Sequence, residues 1–218
     1  MKNELLNRIL TSIILLPILL YATILSGVYL IILLSTIYIL SFYEIIKNTR
    51  NLLFIFFSNI LLVLSCYSFY FLRGNDEISL ILLLWFLAST FLSDMGGYIF
   101  GKTFKGKKLT KISPNKTYAG AAGSVILSLL SLPTINFLQV FYFDKILINF
   151  FEFNFVLFTI LISIVCQLGD LLVSFLKRKI KIKNISNILP GHGGILDRID
   201  GLIFVLIFGY LLKLFALI

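Results

Sequence analysis

Leu10-Thr-Ser-Ile-Ile-Leu-Leu-Pro17-Ile-Leu-Leu-Tyr-Ala-Thr-Ile-Leu-Ser26-Gly27-Val-Tyr-Leu-Ile-Ile-Leu-Leu-Ser-Thr-Ile-Tyr-Ile-Leu-Ser-Phe-Tyr43 is an apolar run of 34 residues with no charged side chain. A single straight helix of that length would rise about 50 Å, whereas a bilayer's hydrocarbon core is about 30 Å thick. Pro17 and the Ser26-Gly27 pair interrupt the run. It therefore reads as two short helices joined by a tight turn near Gly27, with one tilted or kinked helix as the alternative.

Similar runs recur to the end of the chain, at 52–72, 79–100, 119–138, 153–176 and 201–218. In lipid, backbone N–H and C=O groups must find partners internally, so such runs are helices or strands of a closed barrel. No strict alternation of apolar and polar residues is present, which leaves helices. Composition agrees: 59% of the 218 residues are hydrophobic and 13% are charged, and the mean hydropathy is +1.03. A soluble domain carries roughly 25% charged residues. The expected fold is all-α, a single polytopic transmembrane domain spanning 1–218 with seven helices and a cytoplasmic N-terminus. Met1 to Arg8 leads into an apolar run too long for a signal core, and no small-residue cleavage site follows. The first helix is thus expected to stay.

Charge supports that topology. With seven spans and the N-terminus inside, segments 1–9, 44–51, 101–118 and 177–200 hold 16 of the 19 Lys and Arg residues. Arg73, Lys145 and Lys213 fall outside. This is a strong positive-inside bias. The net charge of +9 would suggest nucleic acid in a soluble protein. Here it fits retention on the inner face and anionic headgroups, so no nucleic-acid partner is expected. Cys66 and Cys166 lie inside apolar runs and suggest neither a metal cluster nor a disulfide framework.

Polar chemistry concentrates in two cytoplasmic segments, 93–120 and 167–201. In the first, Ser93-Asp94 ends an apolar helix and Gly96, Gly97 and Gly101 follow. A carboxylate at the membrane edge is costly unless paired, hydrated or bound to a cation, and the glycines permit close backbone approach. Lys102, Lys105, Lys107, Lys108, Lys111 and Lys116 come next, a stretch able to hold phosphates by charge and backbone N–H groups. It also reads as a topogenic basic loop.

In the second segment, Gln167, Asp170, Ser174 and Lys177 are spaced three, four and three apart, on one helical face. An interhelical hydrogen-bond network would explain that stripe, but an ionisable member suggests function. Beyond it lies Pro190-Gly-His192-Gly-Gly194-Ile-Leu-Asp197-Arg198-Ile-Asp200-Gly201. A lone histidine is a poor basis for a zinc site. Asp197 and Asp200 share a face if a helix begins there, and paired carboxylates facing a basic stretch suit Mg²⁺ shared with substrate phosphates. Helix capping would account for one aspartate, but not for the glycines, the histidine and Arg198 together. The pattern points to metal-dependent phosphoryl or nucleotidyl transfer on a phosphate-bearing lipid.

Ser174-Phe-Leu-Lys177-Arg178, Lys183-Asn184 and Pro190-Gly-His192-Gly-Gly-Ile-Leu-Asp197-Arg198-Ile-Asp200 together resemble the signature of the phosphatidate cytidylyltransferase (CDP-diacylglycerol synthase) family. Gln167-Leu-Gly-Asp170 and Ser93-Asp94 through Ser113-Pro-Asn-Lys116-Thr117-Tyr-Ala-Gly120 resemble its other motifs. The resemblance implies transfer of CMP from CTP to phosphatidic acid, giving CDP-diacylglycerol and pyrophosphate, with Mg²⁺ as cofactor. It also implies a homodimer in the bacterial inner membrane with the active site facing the cytoplasm. Asp170 and Asp197 are the first metal candidates, with Asp200 and Asp94 next. Lys177, Arg178 and Arg198 would hold the triphosphate and the lipid phosphate. His192 would shape the phosphate-binding turn or donate a hydrogen bond. Substrate contacts are expected from Ser93, Asp94, Lys116, Thr117, Ser174, Lys183, Asn184, Gly191, Gly193 and Gly194. Two positions depart from the family pattern: Asn184 replaces an Asp, and Ala119 replaces a Glu or Gln. The chain is also short for the family. A CTP-dependent lipid or isoprenoid-alcohol kinase and a nonenzymatic anionic-lipid-binding paralogue are the rival readings. A transporter fits less well, because its polar residues would gather near the midplane.

Overall fold

The computed structural model describes residues 15–110, 113, 116–179 and 194–218. Lys111, Lys183, Asn184, Gly191, His192 and Gly193 lie outside the described residues, which are otherwise almost entirely helical. In chain order the helices are α1 (Leu15–Leu25), α2 (Gly27–Asn48), α3 (Leu52–Arg73), α4 (Glu77–Phe104), α5 (Tyr118–Ser128), α6 (Ser131–Phe143), α7 (Phe153–Lys179) and α8 (Leu196–Leu214).

The long first run is divided where the sequence suggested. Ser26 and Gly27 both take positive φ, 60° and 54°, and α2 starts afresh. Tyr21 and Tyr29 meet edge to face with ring centroids 6.5 Å apart, and Pro17 and Thr36 line a common cavity, so α1 and α2 fold back on each other. Arg73, at the end of α3, closes the other side of that turn. Its guanidinium donates to the carbonyls of Thr23 and Ile24, satisfying the orphaned last carbonyls of α1. Arg73, one of the three basic residues that the charge reading leaves outside, is thus part of a buried helix stop, only 6% exposed.

Local side chains fix the other starts. Asn51 accepts from Phe54 N–H at 3.1 Å, Asp76 from Ser79 N–H at 2.8 Å and Thr117 from Gly120 N–H at 3.1 Å, each a side-chain N-cap. The fifth span corrects the expectation of one helix over 119–138. It breaks between Ser128 and Ser131. Pro133 explains the break: it has no N–H to give and its ring crowds the carbonyl four residues back, at Leu129. Placed in the first turn of α6, the same proline is tolerated.

Among the described residues, five segments are long and apolar enough to cross a membrane: Gly27–Asn48, Leu52–Arg73, Glu77–Phe104, Tyr118–Phe143 and Phe153–Lys179. α1 is shorter, and α8 carries Asp197, Arg198, Asp200 and Lys213 near its ends. The core centres on α4, where Trp85 and Phe86 are fully buried against Phe150, Ile162, Val205 and Leu206. Trp85 Nε1 donates to Thr159 Oγ1 at 3.1 Å. A second cluster joins Ile45, Phe54 and Leu62 to Leu196 and Ile203, tying α8 to α2 and α3.

Candidate active site

Close helix contact positions the first group of residues. A Cβ on Gly120 would sit 2.8 Å from the Gly97 carbonyl oxygen, and one on Gly96 would collide with the Gly123 carbonyl. The close approach that the glycines permit is therefore made by α5 against α4. Between these helices the chain doubles back. Lys108 and Thr117 form an antiparallel bridge, Leu109 N–H donates to Lys116 O at 2.8 Å and Tyr118 N–H to Lys107 O at 3.2 Å. That pairing holds Lys116 at the mouth of the α4–α5–α7 junction.

There Lys116 Nζ lies 3.2 Å from Asp170 Oδ2. Asp94, Cys166 and Asp170 each present a ligand atom within 4.8 Å of the other two. The fully buried Cys166 donates its S–H to Asp94 Oδ1 at 3.4 Å. Gly201 brings α8 against the same place: a Cβ there would lie 2.6 Å from Asp170 Oδ1 and 2.7 Å from Cys166 Sγ. Two carboxylates on apolar helices need a compensating cation, and Lys116 supplies one.

A second charged group adjoins the first. Lys177, 7% exposed, contacts Asp197 Oδ1 at 2.8 Å and Asp200 Oδ2 at 3.5 Å. α8 begins at Leu196 rather than near 201, so the two aspartates do share a face, and Lys177 bridges them. The buried Gly194 N–H points at Asp197 Oδ2, 3.4 Å away. The α7 stripe fans out: Gln167 Nε2 donates to Ala121 O and Ser163 Oγ, both at 3.3 Å, Asp170 meets Lys116, and Lys177 meets α8. Ser174 is half-buried and Arg178 exposed. Ser93 is fully buried, its Oγ 2.8 Å from Ser163 Oγ across the α4–α7 interface. Thr117 spends its hydroxyl on the α5 cap.

Two cavities meet at Asp94. One, of about 270 Å³, is lined by Asp94, Lys116, Thr117, Gln167 and Asp170 among others. Ala119 does not line it, although Thr117, Gly120 and Ala121 do. The other, of about 290 Å³, is apolar: Leu16 and Leu20 of α1, Leu87 and Phe91 of α4, Leu138 of α6 and Leu202 of α8 surround it. Its charged lining residues are Asp94 and Arg198.

Sequence reasoning missed Glu44 and Cys166. Glu44 is fully buried and accepts from Ile195 N–H at 2.9 Å and Leu196 N–H at 3.2 Å. Its signal was a carboxylate directly after an apolar run; reading 44–51 only as a basic inside segment hid it. Cys166 gave no signal beyond adjacency to Gln167.

The donor set suits a hard divalent cation. Mg²⁺ takes oxygen ligands, and Asp94 and Asp170 offer carboxylate oxygens at close range, with Asp197 and Asp200 held by one lysine alongside. The Cys166 thiol acts as a donor to Asp94 and adds no hard ligand.

The chain resembles known proteins along most of its length. It is 34% identical over 187 residues to the phosphatidate cytidylyltransferase of Bacillus subtilis, covering 84% of this chain and 67% of that protein. It is 38% identical over 125 residues to that of Rickettsia conorii, covering 56% of this chain and 53% of the relative. Against that of Staphylococcus haemolyticus it is 45% identical over 116 residues, covering 53% and 42% respectively. The chain thus spans between about two fifths and two thirds of the length of these relatives. The model of the cytidylyltransferase family matches residues 48–215, well over half of the sequence, and the chain belongs to that family.

Proposed function

We propose that the chain transfers the CMP moiety of CTP to phosphatidic acid, producing CDP-diacylglycerol and pyrophosphate for phospholipid synthesis. The observation that carries this reading is the junction at Asp94, where a polar cavity and an apolar one share a wall. A reaction between a water-soluble triphosphate and a membrane lipid needs such a junction. The α4 residues lining the apolar side run from Leu84 to Asp94, about 15 Å of helix rise, enough to keep acyl chain out of water while the headgroup reaches the carboxylates.

In the reaction, a phosphate oxygen of phosphatidic acid attacks the α-phosphorus of CTP. The bond to the bridging oxygen breaks and pyrophosphate leaves with that oxygen. The lipid phosphate is already a nucleophile, so the site supplies alignment and charge compensation. Lys116, at the polar cavity, holds triphosphate oxygens. Arg198, at the apolar cavity, holds the lipid phosphate. Lys177 and Arg178 continue the positive field, Lys183, Asn184, Gly191, His192, Gly193 and Gly194 are further contacts for the phosphates, and Ser93, Thr117 and Ser174 shape the walls. Asp94 and Asp170, with Asp197 and Asp200, are the residues that would hold Mg²⁺, which when bound neutralises charge on the transferring and leaving phosphates.

The proposal includes topology. The chain is one transmembrane unit of seven spans, counting α1 and α8 with the five longer segments and α5–α6 as one. Its N-terminus and the basic segments 101–118 and 177–200 face the cytoplasm of a bacterial inner membrane. Outward apolar residues such as Leu52, Leu53 and Phe56, 79%, 81% and 66% exposed, face lipid or a second copy in a homodimer.

Label position in CTP tests the chemistry. Phosphatidic acid and CTP labelled at the α-phosphate should move label into the lipid fraction, while γ-label should stay in pyrophosphate. Label transfer from the γ position alone would replace this reading with a CTP-dependent lipid kinase.

A further inference from the structure

α8 begins without a cap of its own. Its N-cap residue, Ile195, offers no side-chain acceptor, and the first N–H groups of a helix have no partner within it. The acceptor comes from 151 residues away in sequence, at the C-terminal end of α2. Glu44 takes Ile195 N–H on Oε1 and Leu196 N–H on Oε2. Both bonds involve a carboxylate, the stronger kind; Glu44 is fully buried, the bond to Leu196 is buried and the one to Ile195 half-buried, so water competes little for the carboxylate.

The first two turns of α8 face three ways. Leu196 and Ile203 pack with Ile45, Phe54 and Leu62 of α2 and α3. Asp197 and Asp200 meet Lys177 of α7. Arg198 and Leu202 line the apolar cavity. Apolar packing is non-directional and tolerates small axial slides. Two hydrogen bonds of fixed length to one carboxylate do not. We infer that Glu44 is a positioning residue: its carboxylate sets the axial register of α8, and through it the height of Asp197, Arg198 and Asp200 against Asp170 and Lys116. The inference rests on the catalytic reading above for what those α8 residues do.

Three variants test it. Glu44→Gln keeps the shape and replaces one acceptor oxygen with a donor. Ile195→Pro removes one of the two N–H groups from the other side, at a residue whose φ of -63° already suits proline. Arg73→Gln removes the α1 cap and serves as a purely structural control. Hydrogen exchange over residues 195–200 is measured on ligand-free protein, and Mn²⁺ affinity is measured by electron paramagnetic resonance as a readout apart from turnover. Glu44→Gln and Ile195→Pro should each speed exchange about tenfold and weaken Mn²⁺ binding about tenfold. Arg73→Gln should lower only the thermal midpoint. Unchanged Mn²⁺ affinity in folded Glu44→Gln or Ile195→Pro protein overturns the positioning role and leaves Glu44 as a stabilising cap. Unchanged exchange overturns the cap itself. If Glu44→Gln does not fold, Ile195→Pro is read by the same criteria. A wild-type protein that binds no Mn²⁺ overturns the inference together with the metal reading. One that binds Mn²⁺ yet makes no CDP-diacylglycerol sinks the catalytic reading and leaves the Glu44 comparison intact.

Discussion

Lys177 is a cation shared by two aspartates. It lies within 2.8 Å of Asp197 and 3.5 Å of Asp200 and is nearly buried. Lys177→Met would remove a counter-charge shared by two neighbouring carboxylates. Breaking a buried pair from one side costs roughly 3 kcal/mol, so the thermal midpoint of the detergent-solubilised variant should fall by several degrees; an unchanged midpoint would contradict the pairing. Gly201→Ala addresses Asp170 directly. Its methyl would come 2.6 Å from Asp170 Oδ1, 2.7 Å from the fully buried Cys166 Sγ and 3.2 Å from the Cys166 carbonyl oxygen, so carboxylate and thiol must both shift, at a cost of about 1–3 kcal/mol. Misplacement of a reacting group is expensive in rate, so turnover should drop on the order of 10–100-fold with the fold retained. Turnover close to wild type would mean that Asp170's position is not critical. At this scale the sequence was legible where spacing is local: Asp197 and Asp200 share a face because a helix starts just before them. The neighbourhood of Asp94 with Asp170 was not legible, since no local rule places two residues on separate helices side by side. Glu44 was hidden for the same reason, its partners being backbone N–H groups on a distant helix.

Helix packing sets where those residues stand. α5 lies so close to α4 that Gly96 has the Gly123 backbone directly over it. Gly96→Ala must push α5 outward or distort α4. Overpacking of this kind costs about 1–3 kcal/mol, and because Asp94 is two residues away, the variant should lose both thermal stability and activity. Retained activity with lowered stability would show that α5 can shift without disturbing Asp94. Element boundaries were readable wherever the chain carries its own punctuation. Ser26-Gly27 divided α1 from α2 as expected. Pro133 carried the break between α5 and α6, but its effect falls four residues upstream in a run that otherwise looks continuous, so the span was read as one helix. The start of α8 was placed late because Asp197, Arg198 and Asp200 make its first turn look like loop, whereas buried partners on α2 and α7 make those polar residues compatible with helix.

At the scale of the whole molecule, apolar composition and charge distribution determined the all-helical membrane character. The core is built around α4, which carries Trp85 in its interior and Asp94 toward its C-terminal end. That arrangement lets one helix form a wall of both the polar and the apolar cavity. The grouping of the two motif segments at one end of the bundle follows from helix lengths near the bilayer's thickness, which return the chain to the same side at regular intervals. The cavities themselves were not legible, because their shape depends on contacts among α1, α4, α6 and α8 for the apolar one and among α4, α5 and α7 for the polar one, which no single segment encodes.

Mass-spectrometric detection of CDP-diacylglycerol tests the central claim most directly. Purified protein is incubated with phosphatidic acid, CTP and Mg²⁺, beside a chelator control and the Asp170→Asn variant. The account predicts product from the wild-type chain that disappears with the chelator and falls at least about 100-fold in the variant. Equal product from the variant, or none from folded wild-type protein under conditions where a Bacillus subtilis relative is active, would contradict it.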